Sequence, residues 1–187
     1  MKKFELTNEF ITNMFGTKLF RIRALVEFGD VEAGELGGYV EKESNLGHDD
    51  NAWVYDNAWV YGDAQVSGDA LVCGNALVYD NAWVYGNALV CGDARVCGNG
   101  DYAYAHGFGS VNRTTTFFRL KDGGVGVRCG CFYGTLAQFR DKIRETHGES
   151  AIAEEYLDLA ALMEKRFRRT GTEDRRRKLR RMFITQN

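Results

Sequence analysis

The sequence predicts a mainly β protein: a triangular coil of short strands, then a small α/β unit that ends in helices. Three observations predict it. From Asp50 to Cys97 one six-residue phrase recurs eight times. Within the phrases Ala stands at 52, 58, 64, 70, 76, 82, 88 and 94, and Val follows two places later, from 54 to 96. After residue 100 the period ends, and hairpin and helical spacings replace it.

A period of six is too short for a repeat unit built of helices. Residues two apart on a strand share one side, so each Ala and the Val after it point the same way. Between phrases stand Gly or Asp and then Asn or Asp, which is turn chemistry. Each phrase is a short strand followed by a corner. Three of each close a coil of eighteen residues, and residues eighteen apart stack on one face, about 4.8 Å from coil to coil.

The pattern resembles the hexapeptide repeat of left-handed parallel β-helices. There an aliphatic residue and a small residue four apart point into a prism, as Val54 and Ala58 are spaced here. The likeness covers Asp50 to Cys97. Eight phrases make two and two-thirds turns, and the flanks "GGYVEKESNLGHD" and "GNGDYAYAHG" extend this to nearly four.

Counting then assigns the outward positions. Face one carries Trp53, Tyr55, Leu71, Cys73, Leu89 and Cys91. Face two carries Trp59, Tyr61, Leu77, Tyr79, Arg95 and Cys97. Face three, the most polar, carries Gln65, Ser67, Trp83, Tyr85, Asp101 and Ala103. Face one holds no charge, and a contiguous apolar patch is normally covered by something. Its cover is either the chain's own flanking segments or another copy. The β-helix resemblance implies a homo-oligomer, a trimer first, with face one as the expected interface.

Before the prism, Lys18 to Phe28 alternates as a strand, and residues 1–40 are expected to cap its open end. The prism is expected over 41–110. Residues 111–170 read as a hairpin around Lys121-Asp122-Gly123-Gly124 and two helices. The first helix opens with Thr135 and Gln138 at capping-box spacing and stops at Gly148, with Leu136, Phe139 and Ile143 on one stripe. The second runs from about Ser150 to Arg168, with Ile152, Tyr156, Leu159 and Met163 inward. A separate basic helix or tail takes 171–187.

"FRIRALVEFGDVEAGELGGYVEKESNL" and "CGCFYGTLAQFRDKIRETHG" resemble a group of phage and prophage hexapeptide-repeat proteins of unassigned activity. The likeness reaches about Tyr156. The basic tail after Arg166 lies outside it.

Composition narrows the function. Glycine is abundant, at 22 of 187 residues, and proline is absent, which suits tight turns rather than a linker. Net charge is −2, yet Lys165 to Arg181 holds ten Lys or Arg against Glu173 and Asp174. The start has no apolar stretch of a signal peptide, and no run is long enough to span a membrane. Five cysteines, an odd number, read as reduced thiols in a cytoplasmic protein.

Many hexapeptide β-helices resemble acyl-CoA-dependent acyltransferases, which use a His as base. Here only His48, His106 and His147 exist, none inside the clean repeats, and His106 is the one candidate. Three dispersed His do not make the ligand set of a β-helix carbonic anhydrase. Cys129 and Cys131 read as structural thiols on one strand face rather than a metal pair. No cofactor and no metal are expected.

Binding is the expected activity. Trp59, Tyr61, Tyr79, Trp83, Tyr85, Tyr102 and Tyr104 offer faces on which a base can stack, and His106 lies beside them. Arg95, Arg113, Arg119 and Arg128 offer bidentate grips on phosphate. The phage resemblance implies a counter-defence protein that sequesters a nucleotide-derived host signal at oligomer clefts. The alternatives are an inhibitor that binds a host defence protein or nucleic acid directly, and an acyltransferase. Arg175, Arg176, Arg177, Lys178, Arg180 and Arg181 are the expected nucleic-acid contacts.

Overall fold

The computed structural model describes residues 1–109 and 111–184, with side chains through Thr170. Strands β1 (Phe4–Thr12), β2 (Lys18–Ala24) and β3 (Leu36–Val40) form an antiparallel meander. The strand expected over 18–28 therefore stops at Ala24. β1 is illegible in the sequence, because a register shift between Leu6 and Phe10 breaks its alternation.

Eight two-residue strands build the β-solenoid: β4 (Trp53–Val54), β5 (Trp59–Val60), β6 (Gln65–Val66), β7 (Leu71–Val72), β8 (Leu77–Val78), β9 (Trp83–Val84), β10 (Leu89–Val90) and β11 (Arg95–Val96). All pair in parallel with the strand eighteen residues away. β4, β7 and β10 form face one. β5, β8 and β11 form face two, and β3 joins it through Tyr39 beside Trp59. β6 and β9 form face three. Every Ala from 52 to 94 and every Val from 54 to 96 in the repeat is fully buried. Each such Val contributes on the order of 1.5–3 kcal/mol of transfer free energy.

The corners obey the same period. Asp50, Asp56, Gly62, Gly68, Gly74, Asp80, Gly86 and Gly92 all have positive φ, between 54° and 70°. Gly and Asp are the residues that tolerate this region. The next glycine in phase, Gly98, does not adopt it. There the coil ends. The expected extension through "GNGDYAYAHG" does not occur, because Tyr102–Phe108 leaves the prism as β12 and pairs antiparallel with β13 (Arg113–Arg119). At the other end, Gly37 and Gly38 let β3 lie close on the first coil. A Cβ on Gly37 would meet the Val54 carbonyl oxygen at 2.5 Å.

β12, β13, β14 (Val125–Cys129) and β15 (Phe132–Thr135) form one antiparallel meander. β13 is buried on both sides. Phe118 faces the prism core, and Phe117 faces the helices. Helix α1 (Leu136–His147) has the capping box of Thr135 and Gln138 and ends at Gly148, as its spacing predicts. Its Leu136, Phe139 and Ile143 are buried against Tyr156, Leu159 and Met163 of α2 (Ala151–Ile184). α2 is one helix, not two: Gly171 does not interrupt it. No helix is long and apolar enough to cross a membrane among the described residues.

Both ends of the solenoid are covered by side chains. At the first coil Lys3 Nζ donates to the carbonyl oxygens of Asp50 and Ala52, at 3.2 and 2.8 Å. At the last coil the Trp83 N–H donates to Asn99 Oδ1, and the Leu89 N–H donates to Thr116 Oγ1. The Tyr102 hydroxyl donates to the Trp83 carbonyl. These bonds satisfy backbone groups that an open coil would leave unpaired.

Face one is covered largely within the chain. Trp53 is fully buried, with the Phe28 and Phe4 rings edge-on at 5.3 and 6.2 Å. It cannot belong to an interface between copies. Cys91 is also buried, while Tyr55, Leu71, Cys73 and Leu89 are half-buried. Cys73 and Cys91, one coil apart, form a disulfide across 4.6 Å between Cα atoms. The reading of five reduced thiols is corrected to three: Cys97, Cys129 and Cys131.

Candidate ligand groove

The residues expected to bind ligand do not converge. The structure divides them into three groups, leaves His106 apart from these and commits Arg119 elsewhere. Trp59, Tyr61, Tyr79 and Arg95 stand half-buried on face two. Tyr61 and Tyr79 stack in register, 5.3 Å apart and 8° from parallel. Burial pushes both phenols up, Tyr79 the further. Arg95 Nη1 donates to the carbonyl oxygens of Asn75 and Ala94, so one end of its fork is committed to the backbone.

Arg119 is removed as a phosphate grip. Its Nη2 donates to the Phe167 carbonyl and Thr170 Oγ1, its Nη1 donates to the Gly123 carbonyl, and its guanidinium lies over the Phe167 ring. It bolts α2 to the sheet. His106 is exposed on β12 and bonds Thr114 Oγ1 across the strand pair at 2.8 Å. Arg113 and Arg128 border a cavity of about 430 Å3 with Asp69 and Asn87. Arg175, Arg176, Arg177, Lys178, Arg180 and Arg181 lie outside the described side chains.

The remaining group forms a groove. Trp83 and Tyr85 are the outward residues of β9 and the position after it, and they are 50% and 46% exposed. Their ring centroids are 5.3 Å apart. Trp83 is fixed in place: its indole N–H donates to Ser67 Oγ at 3.1 Å, and both its backbone groups are held by the cap. Tyr104 from β12 meets Tyr85 edge-on at 6.2 Å. Tyr102 is buried beneath, its phenol pushed up to about 12 by that burial. Behind Trp83, Tyr85, Asn99, Tyr102, Tyr104, Met163 and Arg166 line about 490 Å3.

Arg166 is the groove residue that sequence reasoning misses. Its Nη2 donates to the carbonyl oxygens of Asn99 and Tyr102, and its buried Nε has no partner. No carboxylate pairs with it among the described residues. The signal for it lies in the stripe of α2: Tyr156, Leu159 and Met163 continue at helical spacing to Arg166 and Phe167. The groove thus combines aromatic faces with a guanidinium that no carboxylate compensates among the described residues. That chemistry suits a planar ring carrying negative charge.

A family model described as the YdcK beta solenoid repeat matches residues 72–86. The matched stretch runs from β7 through β9 and carries Tyr79, Trp83 and Tyr85. It agrees with the solenoid architecture. No curated protein matches the chain.

Proposed function

We propose that the protein binds a nucleotide-class ligand in the groove beside Trp83, without turning it over. The carrying observation is that half-exposed Tyr85, whose ring adjoins that of Trp83, lines one cavity with Arg166, which has no acidic partner among the described residues. A base stacks on the aromatic faces, and its phosphate meets the guanidinium. The volume of about 490 Å3 falls in the range of pockets that hold small molecules. In this reading the protein acts in a host cytoplasm as a phage-type counter-defence factor that sequesters a nucleotide-derived immune signal. The form we propose is a homotrimer, as the hexapeptide-repeat resemblance suggests.

The testing experiment is a thermal-shift panel on the purified chain, with cyclic di- and trinucleotides, ADP-ribose derivatives, acetyl-CoA and a short DNA duplex. A ligand at a hundredfold excess over its Kd stabilises the native state by about 2.7 kcal/mol. The expected result is a shift with one nucleotide class, recovered as intact ligand on denaturation. A shift with DNA alone, or a flat panel, refutes the proposal. A shift with acetyl-CoA that disappears in His106→Ala supports the acyltransferase instead.

A further inference from the structure

A second cavity lies in the C-terminal unit, away from the groove. It sits between the β14–β15 turn and the two helices, and encloses about 240 Å3. Its floor is apolar: Phe132, Phe139, Ile143 and the ring of Tyr156. Its polar border is formed by Arg113, Lys142, Thr146 and His147, with the thiols of Cys129 and Cys131, and no acidic residue lines it among the described residues.

Arg113 is the decisive side chain. It forms no hydrogen bond or ion pair with any described residue. Its guanidinium occupies the space that Gly130 leaves open, where a Cβ would stand 1.7 Å from Nη1. Gly130 separates the two cysteines and has a φ of 58°. The turn therefore makes room for an Arg that has no ion pair among the described residues and that borders both this cavity and the one lined by Asp69. Lys142 does have a partner, Glu145 at 3.0 Å on the exposed side of α1. The His147 ring stacks on Tyr156 at 6.0 Å and walls the cavity at the end of α1. Among the described residues no three His, Cys, Asp or Glu side chains are placed to hold a metal ion, so the two thiols and His147 are not a ligand set.

An unpaired guanidinium over an apolar floor selects an anion with an apolar body. The volume lies below the roughly 300–1,000 Å3 of pockets that take larger ligands, which limits that body to one ring or a short branched chain. A planar carboxylate matches the fork of Arg113 in a bidentate pair. We propose that the cavity formed by Arg113, Phe132, Phe139 and Ile143 binds a small organic carboxylate with a single ring or branched aliphatic body.

The test reads access to Cys131, which is exposed at the cavity border. The full chain is alkylated with iodoacetamide, a neutral reagent, and each thiol is followed by peptide mass spectrometry. Cys97, outside the cavity, is the internal reference. Benzoate is expected to slow Cys131 alkylation in a saturable manner. Its neutral isostere benzamide is expected to act about tenfold more weakly, for want of the charge-assisted bond. Acetate at matched ionic strength lacks the ring and is expected to do nothing. Arg113→Gln is expected to abolish the benzoate effect, and Arg113→Lys to keep part of it. Equal protection by benzoate and benzamide, equal protection by acetate, or no protection at all overturns the proposal. So does an undiminished benzoate effect in Arg113→Gln. The ligand comparison is made on the unaltered chain, so its outcome does not depend on how a variant folds.

Discussion

The phenol of Tyr102 donates to the carbonyl oxygen of Trp83 at 2.7 Å, and so ties the first strand after the solenoid to its last coil. The same tryptophan gives its N–H to Asn99. Removing the hydroxyl leaves a part-buried carbonyl in the cap without that donor. Tyr102→Phe is expected to lower stability by about 1–2 kcal/mol. Urea unfolding checks it: the midpoint should fall while the slope stays constant. An unchanged midpoint would mean that the bond does not hold the cap.

Two glycines in the same phase of the repeat should respond oppositely. Gly74 has a φ of +70°, and a Cβ there would stand 2.9 Å from the Gly92 nitrogen in the next coil. Gly98 has no positive φ and open space around it. Gly74→Ala is expected to cost about 1–3 kcal/mol, through strain and the clash. Gly98→Ala is expected to be neutral or to stabilise by about 0.5 kcal/mol, because alanine restricts the unfolded chain. Paired thermal melts decide it.

Lys3 gives the protein an alkaline signature. It is buried beneath the first coil, and burial pulls its pKa down from 10.5 to about 8. Below that value both folded and unfolded chains carry the proton, and the native state bears a buried charge. Between about 8 and 10.5 the unfolded chain holds a proton that the native chain has shed. Stability owed to Lys3 therefore rises with pH across this window, by on the order of 2–3 kcal/mol. Denaturation of the native sequence and of Lys3→Met, each at pH 7 and pH 10, should show the gap moving in favour of lysine at the higher pH. A constant gap would sink the idea.

The groove predicts a division among the aromatic residues. Trp83→Ala and Tyr85→Ala are each expected to weaken binding of a nucleotide found by the panel by about 1–3 kcal/mol, the range measured for stacking of a base on an aromatic ring. Trp59→Ala and Arg95→Ala, on another face, are expected to leave it unchanged. Isothermal titration separates these cases. Equal losses from both pairs would relocate the site to face two.

The repeat is legible because its physics is local. Ala and Val two apart, with a left-handed corner every six residues, determine the inward columns without help from distant chain. The same holds for α1, whose Thr135 cap and Gly148 stop lie at the ends of the helix itself. What the sequence hides depends on remote partners. Period alone sends Trp53 outward from the prism, but does not reveal that Phe4 and Phe28 wait there to bury it. The expected ligand residues share types, and types do not reveal distance. Arg119 and Arg166 are both arginines near aromatic rings, yet three donor bonds hold the first to α2 and the sheet turn, while the second leaves its buried Nε free. Gly171 has poor helix propensity, but α2 continues past it.

The pairing of every coil residue with one eighteen places on has an arithmetic of its own. Duplicating eighteen residues within the solenoid would add one rung and move the two caps about 4.8 Å further apart, with each cap still meeting its own face. Duplicating a single phrase of six would instead turn the C-terminal sheet by one side of the triangle. Thr116 would then reach for the wrong strand, and Tyr102 would lose Trp83. The coil number can change without disturbing the caps only in whole turns, and the groove beside Trp83 survives only those changes of length that keep count.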